Sequence, residues 1–213
     1  MTERTILILS GGIDSVVLLY KLISENKEVF CLIFDYGQKA RKEIDCAIEI
    51  CHILNINYQL VDISNLASII WNNTLINEEV FDLDPYEADI PSRNTLFLEI
   101  ATAYAITYDY DSIYIGIIKA KEIFSPDTTQ MFIDKLNDLH LNNNWKNIPV
   151  KAPLLDKTKS EVILLANELD VPLDKTWTCF YNEDEECGVC DSCISKKEAL
   201  EEANLLITNK EVF

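Results

Sequence analysis

A turn rich in small residues joins the first two predicted elements of the chain. Residues 10–15 read Ser-Gly-Gly-Ile-Asp-Ser, between one apolar run at 5–9 and a second at 15–23. The first run is typical of a short buried strand and the second of a buried helix. Backbone N–H groups in such a turn can surround an anion at a helix N-terminus, where the helix dipole adds partial positive charge. The turn, hereafter the first loop, is therefore a candidate phosphate-binding loop, with an ordinary turn capped by Ser10 or Asp14 as the structural alternative.

The pattern of the first loop is more specific than its two glycines. It lacks the G-x-x-x-x-G-K-[ST] spacing of a Walker loop and the G-x-G-x-x-G spacing of a dinucleotide-binding fold. The string S-G-G-x-D-S resembles the pyrophosphate-binding loop of the N-type ATP pyrophosphatases, the PP-loop superfamily, whose members split ATP into AMP and pyrophosphate. This resemblance implies nucleotide binding by Ser10, Gly11, Gly12, Asp14 and Ser15.

Charge composition restricts the class of partner. The 213 residues include 36 acidic and 18 basic side chains, a formal net charge of −18. Because nucleic-acid affinity rests largely on Lys and Arg neutralising phosphates, we expect a small-molecule substrate or a protein partner and no direct contact with nucleic acid. The chain is 48% hydrophobic and has no apolar run as long as a membrane helix. It is therefore expected to be a soluble, cytoplasmic protein with a sizeable core.

Predicted strands alternate with predicted helices along the chain. The strands cover 5–9, 28–34, 57–62, 112–117 and 148–154, and the helices cover 15–23, 42–54, 95–108, 128–141 and a last one ending at 169. This alternation predicts an α/β fold, a doubly wound parallel five-stranded sheet. Pro149 and Pro153 predict a fifth strand that is short or at an edge. Residues 64–90 and 118–127 have no clean period and are expected to leave the sheet as irregular segments.

Ligands of an open parallel sheet bind beyond the carboxyl ends of its strands. Four residues with ligand-binding potential fall at those ends: Asp14, Tyr36, Gln38 and Gly116. Arg93 and Lys159 each stand near the start of a predicted helix, the second of them inside a capping box at 158–161. The helix dipole disfavours a cation there, and a bound phosphate would resolve the conflict. Exposed surface positions for both cations are the structural alternative.

Four late cysteines have the spacing of a metal site. They form the pattern C-x7-C-x2-C-x2-C and are Cys179, Cys187, Cys190 and Cys193. Four thiolates at this spacing can reach one tetrahedral Zn²⁺, and an iron–sulfur cluster with the same ligands is the alternative. Four protein ligands leave no open coordination position, so the predicted zinc is structural. We expect an ATP-binding domain at 1–175 and a zinc-binding segment with a C-terminal helix at 176–213.

Over nearly its whole length the chain resembles the 7-cyano-7-deazaguanine synthase family, the QueC family. The matching positions extend well beyond the first loop and include Asp35-Tyr36-Gly37-Gln38, Glu43, Pro91-Ser92-Arg93-Asn94, Phe97-Leu98, Gly116, Ala152-Pro153-Leu154, Thr158-Lys159-Ser160-Glu161, Thr176-Trp177-Thr178-Cys179 and the C-G-x-C-x-x-C cluster. The implied fold is that of the adenine nucleotide alpha hydrolases with a small four-cysteine appendage.

The resemblance implies an ATP-dependent carbon–nitrogen ligase. ATP with Mg²⁺ would bind on the first loop, and the carboxylate of 7-carboxy-7-deazaguanine would attack its α-phosphate to give an acyl-adenylate and pyrophosphate. Ammonia would then displace AMP to give an amide, and a second activation would give the nitrile. Asp14, Arg93 and Lys159 would be catalytic, Asn94 would join the nucleotide-binding residues, and members carry a structural zinc and are commonly homodimers.

One segment departs from the family pattern. After Gly116, the family usually has an Asp, then a Ser-Gly-Tyr-Pro-Asp-Cys-Arg stretch and an acid before Phe. Here Lys121 takes the place of that Asp, Met131 takes that of the acid, and only Pro126, Asp127 and Phe132 survive. The nucleotide-handling motifs are kept, so a second hypothesis is a QueC-like enzyme of an antiphage defence operon that joins the activated carboxylate to a protein amine or stops at the amide. A third is a non-catalytic nucleotide-binding scaffold.

Overall fold

A computed structural model describes residues 2–70, 90–119, 125–143, 146–181 and 184–210 of the chain, with side chains described up to residue 142 of its fifth helix and residue 204 of its last. Within these residues five parallel strands form one sheet in the order β3-β2-β1-β4-β5. The strands are β1 (Arg4–Ile8), β2 (Glu28–Asp35), β3 (Tyr58–Asp62), β4 (Ser112–Ile115) and β5 (Val150–Lys151). The predicted parallel five-stranded α/β sheet is confirmed, and so is the short fifth strand at an edge.

Helices connect the strands and cover both faces of the sheet. They are α1 (Ile13–Ser24), α2 (Lys42–Leu54), α3 (Ser64–Ile70), α4 (Arg93–Tyr108), α5 (Gln130–Asn143), α6 (Lys159–Glu168) and α7 (Asp191–Lys210). Each β-α-β connection between parallel strands needs such a crossover. The α6 helix begins with the predicted capping box: Thr158 Oγ1 accepts from Glu161 N, and Glu161 Oε2 accepts from Thr158 N at 2.8 Å.

Alternating residues of the central strands divide the core into two layers. On β1, Ile6 and Ile8 pack into one cluster with residues of α4 and α5, whereas Leu7 packs into the other with α1, α2 and α6. Because side chains alternate across a strand, a strand covered by helices on both faces must be apolar at every position. This requirement explains the apolar run that the sequence shows at 6–9, which follows the buried, β-branched Thr5.

Two predicted irregular segments contain helical structure. The α3 helix occupies Ser64–Ile70, so the prediction of an irregular segment is wrong for 64–70. Residues 71–89 lie outside the described residues. A 3-10 turn spans Pro126–Thr128, and 120–124 also lies outside them. The α4 helix begins at Arg93, two residues before its predicted start. Both short helical pieces are too brief for a 3.6-residue period to emerge in the sequence.

The C-terminal helix packs on the sheet domain through α6. Ala199 and Ala203 of α7 form a small buried cluster with Ile163 of α6. The small alanine side chains let the two helices approach closely. The division of the chain at 175/176 stays a prediction. Among the described residues, no helix has both the length and the apolarity needed to cross a membrane.

Glu3, just before β1, forms hydrogen bonds to residues in or next to three other strands. Its carboxylate accepts hydrogen bonds from Lys27 Nζ at 2.6 Å, from Lys151 Nζ at 2.7 Å and from Ser112 Oγ. Burial raises the pKa of Glu3, but the hydrogen bonds from Lys151, Lys27 and Ser112 outweigh burial and lower this pKa from 4.5 to about 2. A carboxylate with a lowered pKa stabilises the fold above its unfolded pKa, and this contribution is lost as the pH falls from about 4.5 toward 2.

We expect Glu3→Gln to lower the free energy of unfolding at pH 7 by about 1–2 kcal/mol, a value reduced from the full shift because the side chain is partly exposed. The difference from wild type should shrink as the pH falls toward 3, because the wild-type carboxylate then loses its ionic hydrogen bonds. Urea unfolding at pH 7 and pH 3 measures both values. Glu28→Gln is the matched control, since its carboxylate is exposed and pairs with Arg4. An equal loss at both pH values for Glu3→Gln would contradict the prediction.

Candidate active site

Two serine hydroxyls hold the first loop in shape. Ser15 Oγ donates to the carbonyl of Gly12 at 3.0 Å and accepts from the N–H of Ser10 at 3.2 Å. Ser10 Oγ lies 3.0 Å from Ser15 Oγ and accepts from the N–H of Gly12 at 3.2 Å. Within the described chain no side chain caps the start of α1, and its first residues border the cavity described below. That arrangement is suited to a phosphate.

Close backbone contacts explain why two of the predicted site residues are glycines. Gly11 has φ +86°, and a Cβ there would lie 1.9 Å from the carbonyl oxygen of Glu43 in α2. A Cβ on Gly116, just after β4, would lie 2.9 Å from the backbone of Ser15 in α1. Neither position has room for a side chain. The two glycines therefore bring α2 and the start of α1 against the carboxyl ends of β1 and β4.

A cavity of about 530 Å³ opens at this edge of the sheet. Nearly all of the predicted site residues outside the cysteine cluster line it: Ser10, Gly12, Asp14, Ser15, Tyr36, Gln38, Arg93, Asn94, Gly116 and Lys159. Gly11 does not line the cavity; it packs against the backbone of α2. The structure brings Asp14, Tyr36, Gln38 and Gly116 together at the carboxyl ends of the strands, as expected, and places Arg93, Asn94 and Lys159 in the same cavity; the individual roles of all these residues stay predictions.

Asp14 and Lys159, from α1 and α6, form an ion pair at the cavity. Lys159 Nζ, in the first turn of α6, donates to both carboxylate oxygens of Asp14 at 2.8 Å. Both side chains are about one-fifth exposed: 19% for Lys159 and 22% for Asp14. A cation at a helix start is electrostatically unfavourable by itself, and Asp14 supplies the compensating charge. The pair places one anion-binding and one cation-binding group side by side at the first loop.

Arg93 reaches the cavity from the start of α4. Its Nη1 donates to Tyr36 Oη at 3.3 Å, and its guanidinium carbon lies 5.7 Å from the centre of the Tyr36 ring. Burial raises the pKa of Tyr36 to about 12, although Arg93 opposes this increase. Tyr36 thus stays a neutral phenol at physiological pH, and Arg93 is a half-buried cation rather than the surface residue of the structural alternative.

Gln38 and Glu43 form a polar contact under the first loop. The Gln38 amide oxygen accepts from Tyr36 N at 2.9 Å, and its Nε2 donates to Phe34 O at 3.2 Å and to Glu43 Oε1 at 3.3 Å. Burial raises the pKa of Glu43 from 4.5 to about 7, against the opposing effects of Arg93 and of the Gln38 hydrogen bond. Gln38 is buried, and its amide fixes the turn after β2.

Asp127 holds Asn94 in place. Asp127 Oδ2 accepts from Asn94 N at 3.0 Å, and the Asp127 carbonyl accepts from Asn94 Nδ2 at 3.1 Å. Asp127 also accepts from Ser125 Oγ at 2.6 Å. A carboxylate that accepts from a first-turn N–H stabilises a helix start. This structural role accounts for Asp127, one of the three residues of this segment that match the family pattern.

The four cysteines converge in a group that could hold a metal ion. Their Sγ atoms all lie within 4.8 Å of one another, and Cys187 Sγ is 4.0 Å from Cys193 Sγ. Tetrahedral coordination at about 2.3 Å per bond requires S···S distances of about 3.8 Å, so the set fits a single ion. The backbone N–H groups of Tyr181 and Cys187 each donate to Cys179 Sγ at 3.4 Å, as expected around a thiolate ligand.

The cysteine segment forms one wall of the cavity. The N–H of Trp177 donates to the Gly11 carbonyl at 3.0 Å, and Lys42 Nζ lies 4.8 Å from the centre of the Trp177 ring. Residues of this segment that line the cavity are Trp177, Thr178, Cys179, Phe180 and Ser192. Sequence reasoning assigned this segment only to the metal. It missed the wall, because no spacing in the sequence predicts which surface a metal-bound loop will face.

Comparison with known proteins gives one consistent family. The family described as "Queuosine biosynthesis protein QueC" matches residues 4–204. A protein named 7-cyano-7-deazaguanine synthase 1 from Colwellia psychrerythraea is 32% identical over 210 residues, which cover 96% of each chain. A 7-cyano-7-deazaguanine synthase from Methanobrevibacter smithii is also 32% identical, over 219 residues and 96% of each chain.

Solved structures show the same fold at low identity. An NMN synthetase from Francisella tularensis aligns with 96% of this chain and 83% of its own, with a TM-score of 0.52 and 20% identity. A 4-thiouridine synthetase, solved in complex with RNA and bound ATP, aligns with 93% of this chain and 53% of its own, with a TM-score of 0.58 and 15% identity. These likenesses support the PP-loop type of α/β fold.

Gly11→Ala and Gly188→Ala test the close approach at the first loop. Both glycines have positive φ, +86° and +71°, but a Cβ on Gly188 would meet nothing within 4 Å. Backbone strain alone should therefore cost Gly188→Ala about 1–2 kcal/mol. The collision with α2 should add about 1–3 kcal/mol for Gly11→Ala. Chemical unfolding measures both, and equal losses would show that the contact with Glu43 does not restrict residue 11.

Proposed function

The chain belongs to the QueC family, and from that membership we propose that it is an ATP-dependent ligase that converts 7-carboxy-7-deazaguanine to 7-cyano-7-deazaguanine. The carboxylate attacks the α-phosphate of ATP and releases pyrophosphate. Ammonia then displaces AMP to give the amide, and a second ATP-dependent activation removes the amide oxygen to leave the nitrile. The observation that carries this proposal is the meeting of the first loop, Asp14, Arg93 and Lys159 in one cavity.

The residues around the first loop have the charges that adenylation requires. The uncapped N–H groups of α1 would bind the pyrophosphate part of ATP, and Lys159 would move from Asp14 to a phosphate oxygen. Arg93 would stabilise charge that develops at the α-phosphate. No protein nucleophile is needed, because the substrate carboxylate supplies the attacking oxygen, and the protein contributes positioning and electrostatic stabilisation.

Magnesium and zinc both have residues in this chain that suit them. Asp14 offers a carboxylate beside the phosphate site, and Mg²⁺ bound there with ATP would neutralise the charge of the pyrophosphate leaving group. The four thiolates suit a tetrahedral Zn²⁺ with no open position, so its role would be structural. Since such thiolates persist in a reducing compartment, we propose a cytoplasmic location; the homodimer is proposed from the family resemblance alone.

A second candidate function concerns the amine acceptor. Ile118 and Thr128, at the two ends of the segment that departs from the family pattern, both line the cavity, while Lys121 lies outside the described residues. A changed cavity wall favours a changed acceptor. The alternative enzyme would activate the same carboxylate and either stop at the amide or transfer the acyl group to a protein amine, as in a QueC-like antiphage defence system.

Mass spectrometry of the products tests both functions. The purified protein is incubated with ATP, Mg²⁺ and 7-carboxy-7-deazaguanine, with and without ammonium. We expect AMP, pyrophosphate and, with ammonium, the nitrile, with two ATP consumed per nitrile. AMP without nitrile would favour the second candidate, and a protein that gains the acyl mass would identify its acceptor. A protein that forms no AMP with this carboxylate would be better described as the nucleotide-binding scaffold.

Lys159→Ala tests the role of Lys159 in the same assay. Loss of a cation that stabilises the transition state should lower AMP formation by about 10²–10³-fold. Lys157→Ala is the matched variant, because Lys157 lies two residues away but does not line the cavity; its AMP formation should equal that of wild type. Equal rates for both variants would remove Lys159 from the proposed site.

Cys190→Ser tests the metal site independently of activity. We expect the zinc content, measured by plasma mass spectrometry, to fall from about one ion per chain to almost none, since a structural site uses all four ligands. The thermal midpoint should fall as well, because metal binding contributes to folding free energy. Cys46→Ser is the control, a half-buried thiol outside the cluster. Iron in place of zinc in the wild-type protein would support the iron–sulfur alternative.

A further inference from the structure

Glu43 is a cavity-lining acid that the adenylation step does not use. It lies in the first turn of α2 and borders the cavity beside Tyr36 and Arg93. Its Oε1 accepts a hydrogen bond from Gln38 Nε2 at 3.3 Å. Its backbone carbonyl closes against Gly11, so the residue is fixed to the first loop on one side. A fixed carboxylate at the reaction cavity is placed to exchange protons with a substrate.

The surroundings of Glu43 come from three elements. The α4 helix presents the Arg93 guanidinium, the turn after β2 presents the Tyr36 phenol and the Gln38 amide, and the first loop presents the backbone of Gly11. Burial raises the pKa of Glu43 to about 7, and the charge of Arg93 with the Gln38 hydrogen bond limits this increase. A general base is most effective when its pKa is close to the working pH.

The other titratable side chains that line the described part of the cavity are unsuited to accept a proton. They are Asp14, Tyr36, Arg93, Lys159 and Cys179. Asp14 accepts two hydrogen bonds from Lys159 in this structure, and with ATP bound its carboxylate would hold Mg²⁺ instead, so it is engaged in both states. Arg93 and Lys159 are cations, Tyr36 holds its proton up to a pKa of about 12, and Cys179 belongs to the metal-binding cluster. Glu43 therefore stands out by its chemistry as well as by its position.

We propose that Glu43 is the general base that takes the proton from the amine that displaces AMP, an inference that rests on the proposed function. The lone pair of the neutral amine forms the C–N bond to the acyl carbon. The C–O bond to the AMP phosphate breaks, and its electron pair stays on the phosphate oxygen. One N–H proton passes to the Glu43 carboxylate, which returns it to solvent before the next turnover. Ammonia and a larger primary amine need the same proton acceptor.

Two rates measured on the same enzyme separate this step from adenylation. Carboxylate-dependent exchange of labelled pyrophosphate into ATP reports adenylation without any amine. Amide formation from ammonia, at constant free ammonia between pH 6 and pH 9, reports the amine step. In the wild type, amide formation should fall about tenfold per unit below pH 7. Glu43→Gln should lower it by about 100-fold or more and make it independent of pH, with exchange within about threefold of wild type.

Glu43→Asp and Asp45→Asn are the companion variants. Glu43→Asp retains a carboxylate and should recover part of the rate together with its pH dependence. Asp45 is exposed on the same helix, so Asp45→Asn should change neither rate. Glu43→Gln should also melt at a higher temperature than wild type at pH 8, because it removes a carboxylate whose charged form burial disfavours. A melting temperature at or above that of wild type would show that the variant is folded, so that a slower amide formation is not caused by unfolding.

Three outcomes would overturn the proposal. An equal loss of exchange and amide formation in Glu43→Gln would mean that Glu43 positions the first loop or Arg93. Unchanged amide formation would mean that another group takes the proton. A wild-type enzyme without exchange would instead refute the proposed function and this inference with it, which keeps the two failures distinguishable.

Discussion

The site depends on two close backbone contacts, one between the first loop and α2 and one between the end of β4 and the start of α1. Gly11 contacts the backbone of α2 and Gly116 contacts the backbone of α1, and neither contact leaves room for a Cβ. These contacts fix the direction in which the N–H groups of α1 point. They also hold Glu43 next to the loop, since it is the Glu43 carbonyl that Gly11 meets. These two contacts therefore position both the backbone at the start of α1 and Glu43.

The cysteine segment extends this arrangement to the far end of the chain. Trp177 donates to the carbonyl of Gly11, so the loop has a partner on each side: α2 and the segment that carries the metal ligands. A metal ion held by four cysteines would stabilise this wall of the cavity without touching a substrate. Such an ion would affect catalysis only through the position of this wall, which is the structural role proposed for zinc.

Charge in the cavity is arranged in two separate groups. Asp14 and Lys159 neutralise each other in front of the first loop, and ATP with its metal ion would separate them. Arg93, Tyr36 and Glu43 form the second group, in which the cation moderates the effect of burial on the acid. The first group would serve phosphate chemistry. In the second group, Arg93 would serve adenylation and Glu43 would serve the amine step. The overall acidity of the chain has little influence here, because solvent and salt screen distant surface charges.

The sequence by itself determined the elements and the order in which they follow one another. Apolar runs identified the strands, the capping box identified the start of α6, and the spacing of four cysteines identified the cluster, since each of these signals is local. The carboxyl-end rule for parallel sheets was enough to bring Asp14, Tyr36 and Gly116 together. Only the tertiary structure decided which face the cysteine segment covers, and that Asp127 holds Asn94. It alone gave Glu43 its raised pKa, because burial depends on residues distant in sequence that happen to enclose the same space.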